Sequence, residues 1–180
     1  MKKYDVFISY RRVDEKGNIS GRDIARTIQK ELQLRKYKVF FDYSDIRDNA
    51  FEETILPAIQ ASAIFILVLT RGALERCANT SDWVRREIFT AIQSDCKIIP
   101  VNPDNKFDGW PSTFPEELAS IKRYQISDIH MGSLFEVSIS KLEEDRIKPV
   151  INHTSSKTME EHRKWVPFSY AAMNHLSFLH

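Results

Sequence analysis

The chain alternates short, nearly continuous apolar runs with longer stretches whose apolar residues recur every three or four positions. Tyr4-Asp5-Val6-Phe7-Ile8-Ser9-Tyr10 is the first run, and it suits a strand of a parallel sheet covered on both faces. Ile24, Ala25, Ile28, Leu32 and Leu34 then fit an amphipathic helix from about Ser20 to Arg35. Tyr37 to Phe41 reads as a second strand. A long charged crossover, Asp42 to Ala50, leads to Phe51, Ile55, Ala58, Ile59 and Ser62, the spacing of a second helix, with Pro57 as a kink or near an end. Ala63 to Leu69 is the most hydrophobic run and reads as the central strand.

Beyond a loop from Thr70 to Thr80, with one helical turn around Ala73-Leu74-Glu75, the stretch from Ser81 to Ile92 predicts a helix that ends near Asp95. Ser81 and Asp82 offer side-chain oxygens to the free N–H groups of a first turn. Val84, Ile88, Ala91 and Ile92 form its core face. Trp83 and Glu87, four apart, share a side bordering that face, which sets a carboxylate beside an indole at the rim of the core. The ordinary reading of such a Glu is an exposed charge paired with Arg85 or Arg86. The alternative is a partly desolvated carboxylate facing a ligand that is flat at one end and develops positive charge at the other.

Lys97 to Val101 predicts the fourth strand, with Pro100 ending it or costing it a ladder bond. Asn102 to Pro115 is a loop around Trp110, Glu116 to Ser120 a short helix, and Tyr124-Gln125-Ile126 a weak edge strand. Leu134, Val137, Ile139, Leu142 and Ile147 mark a closing helix. This β-α-β-α-β-α-β-(α)-β-α order predicts an α/β fold, a doubly wound parallel sheet with right-handed crossovers. Residues 1–148 form the domain. Pro149 to Thr158 reads as a linker or cap, and 149–180 as a C-terminal extension. Its apolar part, Val166 to Leu179, is too short to span a bilayer, and packing or self-association is favoured over anchoring.

Bulk numbers narrow the classes. The 180 residues are 42% hydrophobic and 28% charged, ordinary for a soluble globular chain, and the net charge of +1 argues against an electrostatically driven nucleic-acid binder. Cys77 and Cys96 lack metal-ligand spacing and read as free thiols in a reducing compartment, Cys96 in the core. No metal is expected from the five dispersed His. Met1-Lys2-Lys3 runs straight into a strand, so a cytoplasmic protein without a signal peptide or membrane span is expected. No G-x-G-x-x-G follows the first strand, and neither a P-loop nor a G-x-S-x-G elbow is present. At the C-terminal end of that strand, where open α/β sheets bind ligands, stand Arg11 and Arg12. They read either as phosphate-holding forks or as solvated loop charges.

Several stretches resemble one family. Asp5-Val6-Phe7-Ile8-Ser9-Tyr10-Arg11-Arg12 resembles the first-strand motif of TIR (Toll/interleukin-1 receptor) domains. Phe41 to Phe51 is similar to their second-strand end and mobile loop, with Asn49 where many members have Gly. Ser62 to Leu69, with Thr70 to Leu74, is similar to their central strand and its exit. Asp82-Trp83-Val84-Arg85-Arg86-Glu87-Ile88 resembles the corresponding helix of the NAD-cleaving branch. The resemblance covers about residues 4–147 and implies a flavodoxin-like, five-stranded parallel sheet with helices on both faces. It also implies that Glu87 is the catalytic glutamate, that Trp83 lines the nucleotide site, and that Tyr10, Arg11 and Arg12 line the same cleft. Asp42 and Phe51 match loop positions near the substrate.

The chemistry implied needs little machinery. In NAD+ the nicotinamide is a cationic leaving group that departs neutral, so no general acid is required, unlike ordinary glycosides. One carboxylate near the ribose can stabilise the oxocarbenium charge and bind the hydroxyls. NAD+ is then substrate and no cofactor is expected. The products are nicotinamide with ADP-ribose or a cyclised isomer, depending on the nucleophile. The resemblance implies a role in immune or anti-phage defence signalling, with TIR–TIR self-association. The alternatives are a non-catalytic TIR–TIR interaction module, with the Asp42–Phe51 loop as its main surface, and a host-directed effector.

Overall fold

The computed structural model describes residues 2–12, 20–41, 50–94 and 96–154. Five parallel strands lie in the order β2-β1-β3-β4-β5: β1 (Tyr4–Tyr10), β2 (Val39–Phe40), β3 (Ser62–Val68), β4 (Lys97–Pro103) and β5 (Ser127–Ile129). The helices α1 (Ser20–Leu34), α2 (Ala50–Gln60), α3 (Trp83–Gln93) and α4 (Phe135–Leu142) intervene or follow, with 3-10 turns at Glu75–Ala78 and Glu116–Arg123. This is the doubly wound α/β sheet that the element order predicts.

Alternation along β1 sorts the core into two layers, because successive side chains of a strand point to opposite faces. Val6, Ile8 and Tyr10 join Ile24, Ala25, Ile28 and Leu32 of α1 and Ile139 and Leu142 of α4. Phe7 faces the other way, with Ile55, Ala58 and Ile59 of α2 and Val84, Ile88 and Ala91 of α3. Every residue of β3 is buried, as the longest apolar run requires of a strand covered on both sides. Gly21 lets α1 start against the end of β1: a Cβ built there would lie 2.1 Å from the Arg11 carbonyl oxygen. No larger residue fits without moving backbone.

Several local expectations change. Ser62 belongs to β3 rather than α2, and its hydroxyl donates to the Ala58 carbonyl at 2.7 Å. Pro100 does not end β4, which runs on to Pro103 in register with Leu67 and Val68 of β3. The Val101 carbonyl accepts from the Leu69 N–H, so Val101 faces β3 and Pro100 turns its nitrogen the other way. There β5 starts pairing only at Val101, and no ladder bond is lost. The edge strand lies three residues later than its weak apolar signal. Finally, Leu134 and Val137 are 54% and 65% exposed, whereas Ile139, Leu142 and Ile147 are buried. The helical path from α4 passes through a π turn at Glu143–Ile147 and continues over 148–154, where the sequence reading expects a linker or cap from Pro149. A proline inside a helix removes one backbone donor and crowds the preceding turn, and the wider π turn falls just before Pro149.

Among the described residues no helix is long and apolar enough to cross a membrane.

Candidate functional site

The strand order reverses between β1 and β3, and in open α/β sheets the crevice beyond the carboxyl ends of the strands at such a point holds ligands. A cavity of about 570 Å³ opens there, between the β1 exit, the Glu75–Ala78 turn and the start of α3. Tyr10, Arg11, Arg12, Trp83 and Glu87 all line it, so five of the seven expected site residues meet at one place. Asp42 lies outside the described residues. Phe51 falls in the first turn of α2, and its side chain is likewise outside the description.

Helix α3 starts where the sequence places it, because Asp82 caps it. Asp82 has extended backbone and its carboxylate accepts from the Arg85 N–H at 3.1 Å. Ser81 does not cap; its N–H and hydroxyl both donate to the Asn79 side chain at 2.9 Å. Val84, Ile88 and Ala91 are buried against the sheet, and this orients Glu87 inward. Only 9% of Glu87 is exposed, so it is not the solvated charge of the ordinary reading. The Ser9 hydroxyl donates to its Oε2 at 2.5 Å. Arg85 turns away, to Glu117 Oε1 at 2.7 Å and to the Cys77 and Ala78 carbonyls.

Arg11 lines the cavity but is built into its wall. Its guanidinium forks onto both oxygens of Asp82, at 2.5 and 2.9 Å, while Nε donates to the Ala73 carbonyl at 2.9 Å. Both side chains of the pair are more than nine-tenths buried. Burial opposes ionisation of Asp82, but the hydrogen bonds and charge of Arg11, with the Arg85 N–H, hold its carboxyl below the usual range. The fork expected to grip phosphate is thus used to anchor the first turn of α3. Positive charge at the cavity also comes from Arg12, half-buried, and from Arg76, exposed on the Glu75–Ala78 turn.

Trp83 is 37% exposed, and the Arg86 guanidinium lies 4.5 Å from its ring centroid, a cation–π contact from one residue of the same helix to another three positions on. The Tyr10 ring stacks on Phe41, with centroids 5.2 Å apart and planes 8° from parallel. Behind the wall, Cys77 is fully buried, 3.6 Å from Asp82 Oδ1. Burial and the Asp82 charge push its thiol up to about 12, so it stays protonated and unreactive. Cys96 is a core thiol, as expected, against the carbonyls of Ile59 and Ser62. Among the described residues no group of His, Cys, Asp and Glu has the makings of a metal site.

Two residues of this constellation carry no signal in the helix pattern: Ser9, and Asp82 as partner of Arg11. Period-two alternation from β1 does contain Ser9 and Arg11. Phe7, Ser9 and Arg11 share the face toward α3, so a hydroxyl and a guanidinium beyond Phe7 must find polar partners on that helix.

Comparison with known proteins agrees with this fold. A family model described as "TIR domain" matches residues 6–142. The chain is 38% identical over 148 residues to a Drosophila melanogaster protein named NAD(+) hydrolase sarm1, covering 79% of this chain and 10% of that protein. It is 37% identical over 123 residues to the Danio rerio protein NAD(+) hydrolase SARM1, covering 67% of this chain and 16% of that one. The chain therefore spans a small fraction of the length of these relatives. Among solved structures, the TIR domain of the Toll-related receptor TRR-2 from Hydra magnipapillata superposes with a TM-score of 0.51 at 20% identity, over 79% of this chain and 98% of that one. A TIR-STING receptor from C. gigas gives 0.50 at 21% identity, over 77% of this chain and 39% of that one. With the sheet order and a family match over residues 6–142 in accord, the chain belongs to the TIR domain family.

Proposed function

We propose that this domain cleaves the bond between nicotinamide and ribose in NAD+, with Glu87 as the catalytic carboxylate. The observation that carries the reading is the burial of Glu87 at the wall of a cavity beside Trp83 and Tyr10. That carboxylate is desolvated at the cavity wall and held by the Ser9 hydroxyl, where its charge acts strongly on anything bound beside it. The relatives named NAD(+) hydrolase point to the same substrate.

The C1′–N bond breaks with its electron pair going to the pyridinium nitrogen, and nicotinamide leaves neutral. Glu87 stabilises the positive charge developing on the ribose, which suits a carboxylate already desolvated. Water then attacks C1′ and loses a proton, giving ADP-ribose; capture by an atom of the adenosine half gives a cyclised isomer instead. Trp83, at the cavity wall, borders the ribose or a base. Arg12 and Arg76 supply the charge that attracts the diphosphate, and Arg11 acts through Asp82. The family resemblance assigns Asp42 and Phe51 to substrate binding as well. No cofactor enters this chemistry.

The test is NAD+ turnover by the purified chain and by Glu87→Gln, with products resolved by chromatography. Wild type is expected to release nicotinamide and Glu87→Gln to be slower by at least about a hundredfold with an unchanged melting curve. Equal rates for the two would overturn the assignment of Glu87.

Assembly is the second part of the reading. Leu134 and Val137 expose apolar surface beside the edge strand β5, on the rim of a second cavity of about 410 Å³. TIR–TIR contact through such surface suits signalling in immune or anti-phage defence within the cytoplasm. A specific rate that rises with protein concentration is the expected sign of it.

A further inference from the structure

The Ser9 hydroxyl is 1% exposed and stands on the face of β1 that looks toward α3. Its register partner on β3 is Leu67, and Phe7 precedes it on the same face, so apolar side chains flank it. Alanine would fill that position as well, and a hydroxyl buried there without a partner would be destabilising. The partner is Glu87, 78 residues away, whose Oε2 accepts from Ser9 Oγ at 2.5 Å. Glu87 lines the cavity and Ser9 does not. The hydroxyl therefore grips the carboxylate from behind, on the side away from any ligand.

We propose that Ser9 is a positioning residue for Glu87: it holds one carboxylate oxygen against β1 and thereby sets the orientation of the other toward the cavity. The inference rests on the reading of Glu87 as the catalytic group. A Glu side chain has three rotatable bonds, and on a helix its carboxylate sweeps a wide arc unless something beyond the helix holds it. A misplacement of about 1 Å is enough to cost a large part of a rate. Two polar side chains at period two along β1 thus act on α3 at two levels. Arg11 fixes where the helix begins, through Asp82, and Ser9 fixes where its carboxylate points.

Ser9 cannot touch substrate, so its loss must appear in kcat and not in KM. In the full chain, Ser9→Ala is expected to lower kcat for NAD+ about ten- to hundredfold, with KM within about twofold of wild type. Ser9→Thr keeps the hydroxyl and is expected to recover most of the rate. Wild-type kcat in Ser9→Ala, or a loss carried by KM, would overturn the proposal. Should Ser9→Ala fail to fold, Ser9→Cys, similar in size but a weak donor, replaces it with the same two outcomes. A second readout needs no turnover: the carboxyl carbon resonance of Glu87, assigned by its disappearance in Glu87→Gln. It is expected to move in Ser9→Ala and return in Ser9→Thr, and an unmoved resonance would overturn the contact. If wild type releases no nicotinamide, the catalytic reading fails, and this resonance alone decides whether Ser9 holds Glu87.

Discussion

Arg11 reaches across 71 residues of sequence to fork onto Asp82, and Arg35 reaches across 108 to Glu143 at 2.6 Å. The chemistry is the same and the surroundings are not. Around Arg35 the partners are redundant: Glu31 one turn earlier on α1, the Ser140 hydroxyl, and Glu143, which also accepts from Tyr37. Glu143 and Arg35 keep 11% and 18% side-chain exposure, and water can replace part of what a substitution removes. Arg11 and Asp82 sit at 5% and 8%, against a cavity, and Asp82 caps the helix that carries Glu87. One clamp closes the far side of the domain; the other fixes the start of the helix that carries Glu87. Buried ion pairs contribute little net stability when intact and much instability when one partner is lost. The second pair is therefore the sharper lever on the protein.

Asp82→Ala is expected to have the largest effect. It strips a buried guanidinium of its partner and removes the helix cap, and should cost about 3–5 kcal/mol, read from urea unfolding. NAD+ cleavage should fall with it even under conditions where the variant is fully folded, because α3 loses the contact that fixes its first turn. Unaltered cleavage in folded Asp82→Ala would show that the clamp holds the fold without holding the site.

Glu143→Gln should cost less, about 1–2 kcal/mol, with a fall in Tm of about 2–8 °C and no change in kcat or KM. A variant that loses activity would couple the far clamp to the cavity and erase the contrast.

The smallest effect is in pH dependence. Burial opposes charge on both Asp82 and Glu143, yet Arg11 in one case, and Arg35 with Tyr37 in the other, hold both carboxyls below their usual values. A carboxyl lowered in the folded state stabilises it above the unfolded value, about 4, and that contribution is lost as pH falls through the folded value. Urea midpoints should thus be level from pH 7 to about 5 and fall below about 4. Glu143→Gln should flatten part of that fall, and Asp82→Asn another part. Parallel acid limbs in wild type and both variants would remove these two groups from the account.

How much of this was legible in the chain differs by element. The strands β1 and β3 and the helix α3 were plain, since seven-residue apolar runs and a Val84–Ile88–Ala91 stripe after an Asp cap leave few alternatives. The meeting of Tyr10, Arg11, Arg12, Trp83 and Glu87 followed from the resemblance and the order of elements. The edge was not plain: β5 has three residues, and a strand that short lacks the alternation that would fix its bounds. Leu134 and Val137 belong to the same closing-helix pattern as Ile139 and Leu142 yet are exposed, because helical spacing identifies a shared side and not which side is covered.

Local pattern thus carried the order of elements, the cap of α3 and the residue types at the switch point, because periodicity and capping act within a few residues of chain. It could not say which cation would be spent on structure. Arg11 and Arg12 are adjacent and alike in sequence, but strand alternation sends the first toward α3, where Asp82 awaits it, and leaves the second at the cavity. Nor could it pair Ser9 with Glu87, since a hydrogen bond across 78 residues exists only once β1 and α3 are packed on the same layer. Those assignments depend on which faces meet, and folding alone brings them together.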